Sequence, residues 1–247
     1  MSDGIVLRAD VHFPADPHTR AAVAGSFPVL LSITPYGKKA PPPAGQLGGG
    51  PTPYLIRRGY IEVMVDVRGT GASGGVFEMF GTAQVQDGVD LVSWAAKLPN
   101  SSGAVGMFGL SYLGINQLFT ASAVGPDSPL KAIFPAMAAH DFYRDAALMG
   151  GIPRLPLIRA YRAVYSLLNV LNPLLEVASR GGHPRPRCGG TAAVRARGRV
   201  QRRYFGDLLR DAATGGEAAY DGDFWSPMRP AEVLHNIARN GVAVFLL

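Results

Sequence analysis

Between residues 27 and 138 the hydrophobic period of the chain switches repeatedly, and this alternation restricts its architecture more than any other feature. "FPVLLSITPYG" (27–37), "IEVMVDV" (61–67), "AVGMFG" (104–109) and "LKAIFPAM" (130–137) are short apolar runs bounded by turn residues, the pattern of buried strands. Between them lie helical stretches. "YLIRRGY" ends near Gly59, "DGVDLVSWAAKL" places Val89, Val92, Trp94, Ala95 and Leu98 on one face, and "LGINQLFTASA" comes after the third strand. Strand, helix and strand in this rhythm predict right-handed crossovers and a parallel sheet with helices on both faces. The alternating "GIVLRADVHFP" adds an earlier strand. After Ala138 the rhythm stops: residues 140–227 offer helical stretches such as "LPLIRAYRAVYSLLNVL", and no strand is expected until "GVAVFLL" at 241–247. The expected division is therefore a first part of an α/β core at 1–139, an inserted helical cap at 140–227 and a return to the core at 228–247, with the sheet incomplete at that end.

Composition limits the partners. A chain of 247 residues with 47% hydrophobic content can bury a sizeable core. The most apolar run, "YSLLNVLNPLLEV", is broken by Asn169, Asn172 and Pro173, so no membrane partner is expected. The start, "MSDGIVLRADVHFP", lacks the basic and apolar regions of an export leader. Cys188 is the single cysteine, which rules out an internal disulfide and a cysteine metal cluster and fits a reducing cytoplasm, the compartment expected here. The net charge of +6 is local: residues 180–203 hold eight arginines and no acid, leaving the rest of the chain at −2. Without interleaved aromatics that segment reads as a solvated loop, and no nucleic acid is expected as a partner. Oligomeric state is not legible. "GTGASG" (69–74) satisfies G-x-G-x-x-G, but the residues after it read as loop and Asp87 and Asp90 fall on a helix, so a dinucleotide site is not expected.

The stretch "VGMFGLSYLG" (105–114) carries the chemistry. A serine between a strand and a helix, flanked by glycine, fits a nucleophile elbow, in which a sharp turn holds Oγ clear of the sheet. It equally fits a serine that merely caps the helix. The second glycine, Gly114, comes one place later than in G-x-S-x-G, and these ten residues leave both readings open.

The ordered series "SDGIVLRADVHFP", "ITPYGK", "RRGYIEVMVDVRGTGASGG", "DGVDLVSWAAKLPNSSGAVGMFGLSYLG", "LKAIFPAMAAHDFYRD" and "YDGDFWSPMRPAEVLHNI" resembles the X-prolyl dipeptidyl-peptidase and cocaine-esterase group of α/β-hydrolases. That group's nucleophile motif has the form G-x-S-Y-x-G, with the late glycine. The resemblance implies an α/β-hydrolase sheet with a helical cap, and a serine hydrolase that cleaves ester or amide bonds of a small-molecule ester or peptide-like substrate through an acyl-enzyme. It implies Ser111 as nucleophile, the Tyr112 backbone N–H and the Tyr36 phenol as oxyanion donors, and no cofactor or metal. Asp66 and Arg68 are expected to organise their loop. The acid and histidine of such a triad come after later strands; they are expected beyond "GVAVFLL", and none of His140, His183 and His235 stands in a matching context. The chain thus resembles an N-terminal fragment, expected to be inactive alone. The alternative is a non-catalytic remnant that serves as a binding domain.

Overall fold

A computed structural model describes residues 1–38, 52–164 and 204–247. The arginine-rich segment, Cys188 and His183 lie outside the described residues. Strands β1 (Ala9–His12), β2 (Phe27–Thr34), β3 (Ile61–Asp66), β4 (Ser101–Leu110), β5 (Leu130–Ala136) and, near the end of the chain, Ala243–Val244 form one six-stranded sheet. Its order is β1, β3, β2, β4, β5, then the Ala243–Val244 strand; β1 alone runs antiparallel. The inner strands are buried because helices cover the sheet, and β3 is buried at all six positions, as its unbroken apolar run requires.

Helices connect these strands. The short α1 (Pro53–Ile56) enters β3; α2 (Thr82–Ala95) leads to β4; α3 (Tyr112–Ala123) joins β4 to β5; and α4, described over residues 155–164, belongs to the inserted region. Residues Tyr112 to Ala121 of α3 are all buried, which makes it the central helix of the molecule. It can lie this deep because glycine lines its contacts. A Cβ on Gly88 of α2 would stand 2.2 Å from Thr120 Oγ1, and one on Gly114 would stand 2.8 Å from the Ala136 carbonyl oxygen. The late glycine of the motif is therefore the point where the first turn of α3 presses on the end of β5.

Among the described residues of the inserted region the structure differs from expectation in one element. Two short strands, β6 (Leu148–Met149) and β7 (Ile152–Pro153), pair as a hairpin across Gly150 and Gly151, at φ 61° and 79°. Two adjacent glycines of positive φ make the tight turn that suits the twist of a hairpin. Helix α5, described over residues 204–214, and α6 (Leu234–Arg239) lead back to the sheet, where β8 (Ala243–Val244) pairs parallel with β5. Hydrogen bonds from Phe245 N to Ile133 O and from Leu247 N to Pro135 O continue along that edge. No described helix is long and apolar enough to cross a membrane.

Candidate active site

Parallel pairing brings the two sequence candidates together. β2 and β4 are direct neighbours, so the turn after Thr34 and the turn after Leu110 open on the same edge of the sheet. At the first, Tyr36 N bonds Thr34 Oγ1 (3.1 Å) and Lys38 N bonds Asp66 Oδ1 (2.8 Å). The other oxygen of Asp66 accepts from Ala72 N (3.0 Å), so one buried carboxylate fastens the Tyr36 turn to the Gly69–Gly74 turn. Gly71 must be glycine here: at φ 48°, a Cβ would stand 2.2 Å from Asp66 Oδ2.

At the second turn, Ser111 takes φ 59° and ψ −120°, a conformation that a residue with a side chain rarely adopts. Its side chain caps nothing, which removes the capping alternative. The main chain around it is fixed on both sides. Ser111 N bonds Ala136 O and Ile115 N bonds Ser111 O, each at 2.9 Å. Gly109, at φ 153°, faces the Leu113 side chain so closely that a Cβ would stand 2.4 Å from Leu113 Cβ.

Tyr112 points its side chain away from this edge. The ring is buried and stacked on Phe80 (4.5 Å between centroids, 21° between planes), and its hydroxyl bonds Gln84 Oε1. Burial raises this phenol well above its usual range, so it stays neutral. Anchored in this way, Tyr112 leaves its backbone N–H at the N-terminus of α3 facing the Tyr36 phenol oxygen. The Ser111 hydroxyl lies near enough to that same oxygen to pull its pKa down. Burial, and then the nearby Tyr161, push the Tyr36 phenol up to about 12, while Ser111 and the Tyr112 N–H pull the other way. At neutral pH Tyr36 therefore keeps its proton.

Tyr161 is the residue that the sequence reading missed. It stands on α4, and its phenol is pushed above its usual range by burial, with Ser111 near enough to pull the other way. Spacing alone offered one weak signal: Leu157, Ile158 and Tyr161 share a helical face, which reads simply as core. Four histidines fall among the described residues. His12 is on edge strand β1, His18 and His235 are exposed, and His140 directs Nδ1 to Asp145 Oδ2 (2.7 Å). Arg68 makes a two-pronged contact with Asp87 (2.6 Å for each) and a third bond to Asp3 (2.8 Å), a structural clamp consistent with its expected loop role.

This arrangement can be compared with known proteins. The family model described as X-Pro dipeptidyl-peptidase (S15 family) matches residues 3–246. The chain belongs to this family. Within 147 residues it is 38% identical to the cocaine esterase of Rhodococcus sp. (strain MB1 Bresler), a match that covers 58% of this chain and 23% of the esterase. A CocE/NonD family hydrolase from Staphylococcus aureus is 29% identical, with a TM-score of 0.59 over 70% of this chain and 32% of its own. An aminopeptidase from a marine sediment archaeon shares the fold at 20% identity, with a TM-score of 0.66 over 100% of this chain and 40% of its own. The chain thus spans about a quarter of the length of the curated relatives it matches. Membership in the S15 family places it among serine-hydrolase and esterase-like α/β-hydrolases, and the inserted helical region is that of a capped member of the fold.

Proposed function

We propose that this chain carries the nucleophile and the oxyanion donors of a serine hydrolase that cleaves acyl ester or amide bonds of small esters or peptide-like substrates. The observation that supports this best is the strained Ser111 at the β4–α3 turn with the Tyr36 phenol and the Tyr112 N–H beside it. Ser111 Oγ attacks the acyl carbon as its hydrogen passes to solvent, and the leaving-group oxygen is protonated from solvent in turn. The carbonyl oxygen, becoming negative, takes the place of Ser111 against Tyr36 and receives hydrogen bonds from that phenol and from the Tyr112 N–H. Loss of the leaving group gives the acyl-enzyme, and water then releases the acid. Two fixed donors in a half-buried site act where charge develops, and each is worth roughly 3–4 kcal/mol of barrier. Residues 140–227 form the cap in this reading and shape the substrate pocket.

With no described histidine beside Ser111, deacylation in this chain is slow, since nothing in the group takes a proton from water. Turnover of activated esters is accordingly weak, and a single acylation event is the better measure. Incubation with a fluorophosphonate, then peptide mapping, is expected to place one slow adduct on Ser111 and none on the Ser111→Ala chain. Adducts spread over other hydroxyls, with Ser111 unmodified, would favour a binding domain that has only the fold of a hydrolase.

A further inference from the structure

One side-chain oxygen ties the starts of two helices together. Gln84 lies in the first turn of α2, and its Oε1 accepts a hydrogen bond from Phe80 N (3.1 Å) and a second from the Tyr112 hydroxyl at the first residue of α3. All three residues are buried. The bond from Phe80 follows from local geometry, since a glutamine in the first turn reaches back readily to a backbone N–H before its helix. The bond from Tyr112 does not, because it crosses from one helix to another over 28 residues of chain. Both donors need the amide oxygen, so they fix which way the amide faces. Its Nε2 is buried and has no partner among the described residues. Gln84 therefore acts here through its oxygen alone.

Phe80 supplies the other half of the hold. It has φ 54°, a region that a bulky residue rarely enters, and its ring stacks on Tyr112 (4.5 Å, 21°) while also meeting Phe119 (5.7 Å) and Phe142 (6.0 Å). The Tyr112 ring is thus held on its face by Phe80 and at its tip by Gln84. What this hold controls is one peptide plane. The Ser111 carbonyl and the Tyr112 N–H belong to the same plane. Ile115 N holds the carbonyl (2.9 Å), and Tyr112 Cα, at the far corner, is held through its side chain. That plane follows directly on the strained Ser111, and such strain persists only where the surroundings enforce it.

We propose that Gln84 is a positioning residue for acylation: by holding the Tyr112 hydroxyl, its Oε1 keeps the Tyr112 N–H aligned as a donor to the oxyanion. This role rests on the reading of Ser111 as nucleophile. It determines which replacements succeed. Glutamate presents the same oxygen to both donors and serves in its place. Methionine has the same reach without that acceptor, and leaves two buried donors unpaired.

The test follows acetylation of Ser111 in the 247-residue chain by mass spectrometry over a range of p-nitrophenyl acetate concentrations, which gives a limiting rate and a half-saturating concentration. Misplacing a catalytic group by about 1 Å costs up to about a hundredfold, so Gln84→Met is expected to lower the limiting rate by roughly ten- to a hundredfold. The half-saturating concentration should hold, because Gln84 acts through Tyr112 and not on the ester. Gln84→Glu should restore the rate. Tyr112→Phe, which keeps the stacked ring, should lose as much as Gln84→Met, and the two changes together no more than either alone. An unchanged limiting rate in Gln84→Met or in Tyr112→Phe would overturn the proposal. So would an equal loss in Gln84→Glu, or a loss seen only as weaker saturation. If Gln84→Met does not fold, Tyr112→Phe and Gln84→Glu decide. A wild-type chain acetylated only at residues other than Ser111 defeats the nucleophile reading itself, whatever the variants do.

Discussion

Ser111 holds a backbone conformation that costs on the order of 1–3 kcal/mol for a residue with a Cβ. Glycine adopts it freely, so Ser111→Gly should be more stable than Ser111→Ala by about 1 kcal/mol even after the entropy that glycine loses on folding. Urea unfolding of the two variants checks this; equal midpoints would mean that the turn is not strained. Tyr36 makes a second prediction, with a definite sign. Its pKa stands near 12 in the folded chain against an ordinary 10, so the folded state binds the proton more tightly. The stability this contributes is fully present below pH 10 and is lost as pH rises from about 10 to 12. Tyr36→Phe should therefore flatten the fall in unfolding midpoint over that range. The same variant removes a donor to the oxyanion, and acylation of Ser111 should drop about 10²–10³-fold. Ser111 was legible as one of two open readings of a short motif, because an elbow serine and its flanking glycines are set by local backbone geometry, whereas Tyr36 was a candidate only through the resemblance. Tyr161 was no candidate, because its spacing with Leu157 and Ile158 reads simply as a core face.

Elements meet here through residues chosen for smallness or for paired charge. Gly88→Ala would drive a methyl into Thr120, which is fully buried at the crossing of α2 and α3, and overpacking of this kind costs about 1–3 kcal/mol. Thermal unfolding should register that loss, and Thr120→Ala in the same chain should restore part of it by making room. Asp87 poses the opposite problem. Its carboxylate holds the guanidinium of Arg68, which is 7% exposed, and Asp87→Ala would leave that charge with Asp3 alone, at a cost of about 3–5 kcal/mol by analogy with other broken buried pairs. A loss below about 1 kcal/mol in urea unfolding would show that Asp3 suffices. Element type was readable from sequence where apolar runs were long, as in β3 and α3. The hairpin of β6 and β7 escaped because two-residue strands carry no period, although Gly150–Gly151 was a turn signal in plain view. The reach of "GIVLRADVHFP" was overestimated for a related reason. Only Ala9–His12 pair with β3, since that alternation describes a half-buried edge whose length the neighbouring strand decides.

At the scale of the whole molecule, the two ends of the inserted region are tied by charge. Arg144 bonds Asp141 (2.9 Å) and Asp221 (2.6 Å), and Arg229 contacts Asp221 and Glu232. The outer members of this cluster are exposed to water and hence to screening, so salt should loosen the region before it weakens the apolar core. The β8 edge of the sheet is apolar and exposed. Val244, Phe245, Leu246 and Leu247 are 44%, 61%, 76% and 79% exposed, next to Phe134 and Met137 at the end of β5. A parallel sheet seldom presents a strand of this kind to solvent. For anyone handling the protein, the consequence is colloidal. Solutions should scatter more light as concentration rises, bind a hydrophobic dye while still folded, and foul apolar column matrices. Phe245→Lys with Leu247→Lys should clear the scattering and leave the far-ultraviolet circular dichroism unchanged, because both side chains lie outside the packed interior.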